Sequence, residues 1–529
     1  MVEELTMAKI RQLVHNGVLI PQYEPRGFKI LYKKKRLCLT SKVEEMAVSW
    51  VKKLETDYVK DPVFIRNFVS DFSKALGVDP GSEIEDFDFS EIQRWVEHEK
   101  AKRESMSREE RKALAEVRKK VREANKEKYG YAMLNGERVE IGNYTVEPSC
   151  VFLGRGKHPL RGRWKQGATY EDVTLNLSPD APTPELPEGR HWGGRVFDPE
   201  ALWVAKWRDK LSGEMKYVWI ADTARFKQER EIEKFDRARD LKKVIGKVRR
   251  YIERHLSSED PLMRKIATVA YLIDTLKLRV GDEKEKDELD TVGATTLRGS
   301  HVKIDDTGTV KFDFLGKDAV RWVVTIKLPA QVVENLRSFI KGPGEQIFSG
   351  VRSEHVNDFL SQVMPGLTAK VFRTYHASKT VEEHLSKKHV EPGAPEFEKR
   401  HVSKMANLQA AVICHHKRKL PKNWERSFEH KVERLRKLQG RLKEVRRKPK
   451  TERRARRMER LKEQIRNVKL QIELAKETRD YNLGTSLKSY IDPRVFVRWA
   501  EKVGYDWKRI YPKTLQRKFA WAENSGSSP

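Results

Sequence analysis

The sequence predicts an α+β multidomain chain. It has a mixed α/β N-terminal part, a mainly α middle with a small antiparallel sheet, and a basic helical hairpin of coiled-coil type toward the C-terminus. Three observations predict this. The 529 residues suffice for about three or four domains of ordinary size. Strand-like alternation and the helical period both recur along the chain. One segment also departs sharply from the rest: residues 425–476 hold 20 Lys+Arg against 8 Asp+Glu, net +12.

Each element has its own signal. Residues 1 to about 85 mix strand-like runs, such as 28–33, with a helix over 43–55. Residues 88–128 read as two helices, with Ser107 and Glu110 as a capping box and Gly130 as the stop. The cations of the second helix, Arg108, Arg111, Lys112 and Arg118 among them, fit a solvated face at least as well as a binding surface. Pro179, Pro182, Pro184 and Pro187 make 178–194 a loop. A hairpin over 202–220 turns at Ser212-Gly213. Residues 227–278 are helical with a break at Pro261. A meander follows over 302–305, 310–314 and 320–328, turning at Asp306-Thr-Gly308 and Gly316-Lys-Asp318. Residues 354–418 return to helix. In the basic segment apolar residues fall at Phe428, Val432, Leu435, Leu442 and Val445. After Pro449 they fall at Ala455, Met458, Leu461, Ile465, Val468 and Ile472, so the two stripes pair as an antiparallel hairpin.

Charge bounds the function. The balance of 108 Lys+Arg against 78 Asp+Glu gives +30, with a pI near 9.7, which calls for an anionic partner and fits a nucleic-acid footprint. No run of about 18 apolar residues exists to cross a membrane, and the first residues do not read as a secretory signal. Cys38, Cys150 and Cys414 are too scattered for a disulfide framework or a zinc site, which fits a reducing, intracellular setting. Twelve Trp, 20 Phe and 15 Tyr exclude chain-long disorder.

Several residues could carry chemistry, each beside a plainer reading. Glycines interleave with Arg155, Lys157, Arg161 and Arg163, which lets backbone and cations approach phosphates; a surface turn fits as well. Lys317, on a hairpin tip, is either solvated or an ammonium delivered to a phosphate or a leaving oxygen; the residues alone favour the former. Arg279, ending the apolar run from Tyr271, and Arg373, in Leu367-Thr-Ala-Lys-Val-Phe-Arg-Thr-Tyr375, are either buried ion pairs or a phosphate clamp. His415-His416 lacks metal-ligand spacing but could donate to phosphate. The acidic run 282–290 reads as a charged loop rather than a two-metal centre. Tyr490 is ordinarily structural, and as a nucleophile it would need cationic help.

Together these stretches resemble the DNA topoisomerase IB family of eukaryotic type. Phe312-Asp-Phe-Leu-Gly-Lys-Asp318, the Arg373 run, Leu276-Lys-Leu-Arg-Val-Gly-Asp-Glu-Lys284, Leu483-Gly-Thr-Ser to Tyr490-Ile-Asp-Pro-Arg494 and the 510–522 tail occur in the family's order, over about 18–522. The resemblance implies roles. Tyr490 is the nucleophile that leaves a 3′-phosphotyrosine, Arg279, Arg373 and His416 hold non-bridging oxygens, and Lys317 protonates the departing 5′-oxygen. No metal or other cofactor is implied. It implies a clamp around double-stranded DNA: a cap over 1–223, a catalytic domain over 224–420, a basic coiled-coil linker over 421–476, and a C-terminal domain over 477–529. Arg155, Lys157, Arg161 and Asp318 fall to DNA contact. Ser489 stands where the family commonly has Asn. The short N-terminus suggests an archaeal member, monomeric, cytoplasmic and nucleoid-associated, or nuclear in a eukaryote. A tyrosine recombinase and a non-catalytic DNA clamp are the rival readings.

Overall fold

The computed structural model describes residues 10–154, 157–281, 292–316, 320–418, 420–421 and 423–523. Arg155, Lys317, Asp318 and the acidic run 282–290 lie outside the described residues. The chain divides into two compact units, one ending at Lys227 and one beginning at Gln228.

The first unit holds two cores. In one, helices Ser41–Val51, Pro62–Leu76 and Ser90–Ser105 surround a three-stranded antiparallel sheet, Lys35–Cys38 beside Lys29–Tyr32 beside Phe87–Asp88. Phe64, Phe68 and Phe72, on one helical face at i, i+4 and i+8, are fully buried there, and Trp50 stacks on Phe68 with centroids 4.3 Å apart. The other core lies under a four-stranded sheet ordered Gly194–Val196, Thr174–Asn176, Trp203–Arg208, Met215–Trp219 and a three-stranded one ordered Leu13–His15, Tyr131–Leu134, Glu137–Glu140. The hairpin expected over 202–220 is present, but the proline-rich stretch ends in a strand, Gly194–Val196, that pairs parallel to Thr174–Asn176. Hairpin signals are local; a parallel partner is not.

The second unit is mainly helical around one small sheet. Helix Pro261–Leu276 starts where Asp260 accepts from the Leu262 amide at 2.9 Å and Pro261 supplies the first helical φ. It buries Ile266, Val269, Ala270, Ile273 and Leu276 against the antiparallel meander Val302–Ile304, Thr309–Gly316, Val320–Lys327 and helices Ala330–Phe339, Ser353–Ser361 and Ala369–Lys387. A second core joins helices Ala369–Lys387 and Glu396–Ile413 to the C-terminal segment around Ile491, Phe496, Phe519 and Ala522.

Two boundaries differ from expectation. Arg279 does not end a helix: the helix stops at Leu276 and Lys277 turns left-handed at φ 55°, which places Arg279 in the irregular segment that follows, where its carbonyl accepts from the Ala294 amide at 2.8 Å. Helix does not run to 418 either. Glu396–Ile413 ends at Cys414, and His415 also sits left-handed at φ 55°. Each turn costs local backbone energy and aims a neighbouring side chain off the helix axis.

The basic segment forms two helices, Trp424–Arg446 and Glu452–Glu477, the second capped by the Thr451 hydroxyl, which accepts from the Arg454 amide at 3.1 Å. They share a thin seam of Leu438, Val445, Leu461, Ile465 and Val468. Leu438 adds to the expected stripe. It lies three residues beyond Leu435, on the same helical face.

Candidate functional site

The chain brings together three segments that lie far apart in sequence. Arg373 projects from helix Ala369–Lys387, whose first amide, Ala369, donates to Asn357 Oδ1 at 2.9 Å. His416 follows the left-handed turn that ends helix Glu396–Ile413, and its amide donates to Ala411 O at 2.9 Å. Tyr490 ends the short helix Leu483–Ser489, which Asn482 caps by accepting from the Gly484 amide at 2.9 Å.

Backbone pairing zips the last two segments together. The Asn482 amide donates to His416 O at 2.6 Å, Lys417 bridges Tyr481, and the Arg418 amide donates to Asp480 O at 2.9 Å. The basic helical hairpin is therefore an excursion whose two ends are tied at its base. Tyr490 then sits in an elbow. Its amide donates to Ser486 O at 3.0 Å, and its carbonyl accepts from the Ser378 hydroxyl at 3.3 Å. Asp492, capping helix Pro493–Lys502, is fixed by Arg494, which also reaches Asp236 at 2.7 Å.

The side chains converge. The Arg373 guanidinium lies 4.9 Å from the centre of the Tyr490 ring, and the His416 and Tyr490 rings are 5.1 Å apart. All three residues are at least nine-tenths buried. Arg373 Nη2 donates to Cys414 O at 2.7 Å and stands 3.5 Å from His416 Nε2, while its buried Nε has no hydrogen-bond partner among the described residues. His416 Nδ1 lies 2.7 Å from Ser486 Oγ. Burial first, and then the charges of Arg373 and Arg279, push the His416 imidazole down to about 3, so it is neutral in the free protein near pH 7. His415 falls to about 4, chiefly through burial, and its ring stands edge-on to Trp322 with centroids 4.8 Å apart.

A cavity of about 90 Å³ opens at this point. Its walls include Arg279, Arg321, Trp322, Arg373, His416 and Lys417, and its described lining holds five Lys or Arg and no carboxylate. Such a lining, with an unpartnered guanidinium nitrogen beside it, is built for an anion. Behind it, Asp274 accepts from His376 Nε2 at 2.6 Å and from Arg249 Nε at 2.7 Å, joining the helix that precedes Arg279 to the helix that bears Arg373. Among the described residues no cluster of His, Cys, Asp and Glu could hold a metal ion, and no helix is long and apolar enough to cross a membrane.

Of the residues singled out by sequence, Arg279, Arg373 and His416 meet at this cavity, with Tyr490 packed against Arg373 and His416. Lys317 and Asp318 lie outside the described residues; Gly316 and Val320, the described strand ends on either side of them in sequence, line the same cavity. In the first unit, Lys157 is exposed. Arg161 is engaged inside the fold: its Nη2 donates to Asp61 Oδ1 at 3.1 Å, its Nε also bonds that carboxylate, and its Nη1 donates to His158 O at 3.0 Å. Ser486 falls within the Leu483-Gly-Thr-Ser486 stretch, and its contact with His416 is not visible in the sequence. The available signal was its position one helical turn before Tyr490. Asp274 and His376 had no signal, because their pairing joins residues 102 apart.

Three family models match in chain order: Eukaryotic DNA topoisomerase I, DNA binding fragment, over residues 8–220; Eukaryotic DNA topoisomerase I, catalytic core, over 223–449; and C-terminal topoisomerase domain, over 462–528. Among similar proteins, DNA topoisomerase 1 alpha of Arabidopsis thaliana is 36% identical over 96% of this chain, which covers 58% of that protein. DNA topoisomerase 1 of Drosophila melanogaster is 34% identical over 96% of this chain, covering 54% of the fly protein. DNA topoisomerase I, mitochondrial, of Homo sapiens is 33% identical over 97% of this chain, covering 90% of the human protein. The chain thus spans a little over half the length of the plant and fly relatives. These relatives are eukaryotic and lend no support to an archaeal origin. Family models along both units, together with a relative matched over nine-tenths of its length, make this chain a member of the eukaryotic-type DNA topoisomerase I family.

Proposed function

We propose that this chain is a type IB DNA topoisomerase that relaxes positive and negative supercoils through a 3′-phosphotyrosine intermediate. The observation that carries this reading is the packing of Tyr490 against Arg373 and His416 beside a cavity lined by cations without a carboxylate.

The chemistry follows from the charges. The Tyr490 oxygen attacks a backbone phosphorus, and the phosphorus–oxygen bond to the 5′-oxygen of the next nucleotide breaks. One phosphodiester replaces another, so no ATP is needed to reseal the strand. The five-coordinate transition state carries about one more negative charge than the diester, and preorganised donors stabilise it more than they stabilise the ground state. Arg279 and Arg373 supply fixed charge to the non-bridging oxygens, and the neutral His416 supplies an N–H. The phenol gives its proton to solvent water as the oxygen attacks, and the Arg373 guanidinium over the ring stabilises the charge that develops there. Lys317 hands a proton to the departing 5′-oxygen. These cations do electrostatic work that bound metal ions do in other phosphoryl-transfer sites.

The architecture is read the same way. Residues 1–223 act as a cap and 224–420 as the catalytic core, closing as a monomeric clamp on duplex DNA. The hairpin over 421–476 is a coiled-coil linker, and 477–529 deliver the tyrosine. Arg155, Lys157 and Asp318 contact DNA, and Arg161 holds the Lys157 loop through Asp61.

The test is relaxation of supercoiled plasmid in EDTA without ATP, with denaturant trapping of the adduct. Relaxation of both signs of supercoil, with protein joined to the 3′ end of the nick, is expected. Adducts on the 5′ end, or relaxation only with ATP, would refute the reading.

A further inference from the structure

The mechanism leaves one buried contact unused. Ser486 is fully buried, and its Oγ lies 2.7 Å from His416 Nδ1. No second partner competes for that hydroxyl among the described residues. The same residue holds the nucleophile's backbone: Ser486 O accepts from the Tyr490 amide at 3.0 Å and from the Ile491 amide at 3.1 Å. One side chain on the tyrosine's own helix thus touches the histidine that belongs to a different segment.

We propose that Ser486 is a positioning residue whose hydroxyl donates to His416 Nδ1, so that the imidazole carries its proton on Nε2 and presents it, beside Arg373, to a non-bridging oxygen of the scissile phosphate. This rests on the type IB reading above and adds the group that sets the histidine's tautomer.

The geometry supports the direction of that bond. A neutral imidazole has one N–H, and the hydrogen bond made by one nitrogen fixes the role of the other. The Ser486 contact is short and well within hydrogen-bond range, whereas Arg373 Nη2 stands at 3.5 Å from Nε2, at the outer limit. Nε2 therefore gives up little by not accepting from Arg373. With the proton on Nε2, that nitrogen and Arg373 Nη2 become two adjacent donors with no acceptor between them, the arrangement an oxygen of a phosphate satisfies. With the proton on Nδ1 instead, Nε2 would turn a lone pair toward the anion and repel it. Burial keeps the ring neutral in the free protein, so tautomer rather than charge decides what it offers.

The test is a double-mutant cycle read by single-turnover cleavage of a suicide duplex, with DNA affinity measured alongside. Ser486→Ala should slow cleavage by about tenfold, the scale of one hydrogen bond lost in the transition state, and leave affinity unchanged. In a His416→Ala background the same substitution should cost less than about twofold, because its effect passes through the histidine. An equal loss in both backgrounds overturns the proposal and assigns Ser486 to the tyrosine helix alone. A second measurement needs no Ser486 variant. In the Tyr490→Phe protein bound to duplex DNA, with ¹⁵N-labelled histidine, the imidazole signal that His416→Ala removes should show a protonated Nε2. A protonated Nδ1 overturns the proposal. His416→Ala cleaving as fast as the unmodified protein would instead sink the role given to His416 in the type IB reading, a result distinct from either outcome at Ser486.

Discussion

The C-terminal unit uses cations in two opposite ways. At the candidate site Arg373 is 5% exposed, held by a carbonyl, an imidazole and an aromatic ring. In the basic hairpin the side chains of Lys437 and Arg456 are 68% and 74% exposed and pair with Glu433 and Glu452, exposed carboxylates one turn away on the same helix. The first kind of cation is expensive to bury and therefore fixed in place. It can act on an anion at close range, because little water screens it. The second kind is solvated and mobile. Its pairs contribute about 0–1 kcal/mol each, and its use is to neutralise phosphates at a distance and release their counterions. A charge count treats the two alike; burial separates them.

The largest expected effect breaks the comparison on the buried side. Tyr490→Phe removes one oxygen and no packing, so DNA binding should persist while relaxation and adduct formation vanish. A phenylalanine variant that still forms the adduct moves the nucleophile elsewhere. Next, Lys317→Ala should slow cleavage by roughly 10²–10⁴-fold. A substrate with sulfur at the 5′-bridging position leaves without a proton and should largely rescue it. Equal defects on both substrates would remove Lys317 from the acid's role.

Acid should separate buried from exposed groups as well. The rings of His415 and His416 are pushed from 6.5 to about 4 and about 3, chiefly by burial. Between those values and 6.5 the unfolded chain binds more protons than the fold, so stability rises with pH across that window and falls as the solution is acidified below about 6.5. Hydrogen exchange at pH 7.5 and 5 should show protection around His416 declining while the hairpin seam, which contains no histidine, stays unchanged. Uniform loss in both regions would contradict this.

Smaller effects sharpen the exposed side. Ile465→Ala opens a seam of only five buried residues and should destabilise the hairpin locally by about 2 kcal/mol. The readout is faster amide exchange within 424–477, with cleavage of a short suicide duplex unchanged. Loss of cleavage would mean that the hairpin transmits order to the tyrosine. Deleting about 430–472 with a short rejoining linker should have the least effect on chemistry, because the zip from His416–Arg418 to Asp480–Asn482 stays intact. Plasmid relaxation should become less processive, and the slope of log affinity against log salt should become shallower. An unchanged slope would show that the hairpin's cations meet no phosphate.

Residue order determined a good deal of this molecule. The Ser107–Glu110 capping box opens the helix Arg108–Tyr129, and Gly130 ends it. The Asp306-Thr-Gly308 turn joins the first two strands of the meander, and both stripes of the basic segment became helices. These signals are local: caps, turns and periodicity are written within a few residues of where they act. The family resemblance that the motifs carry also grouped Arg279, Arg373, His416 and Tyr490. Only the tertiary structure decided how they meet. The tie between Ser486 and His416, the Asp274–His376 pair and the retention of Arg161 by Asp61 join residues whose separation leaves no pattern in sequence, and the left-handed turns at Lys277 and His415 fall on residue types that do not signal one. The physical reason is that a local element is fixed by its own backbone and nearest side chains. A buried polar contact is fixed by which partner remains once water has been excluded, and the packed fold alone determines that.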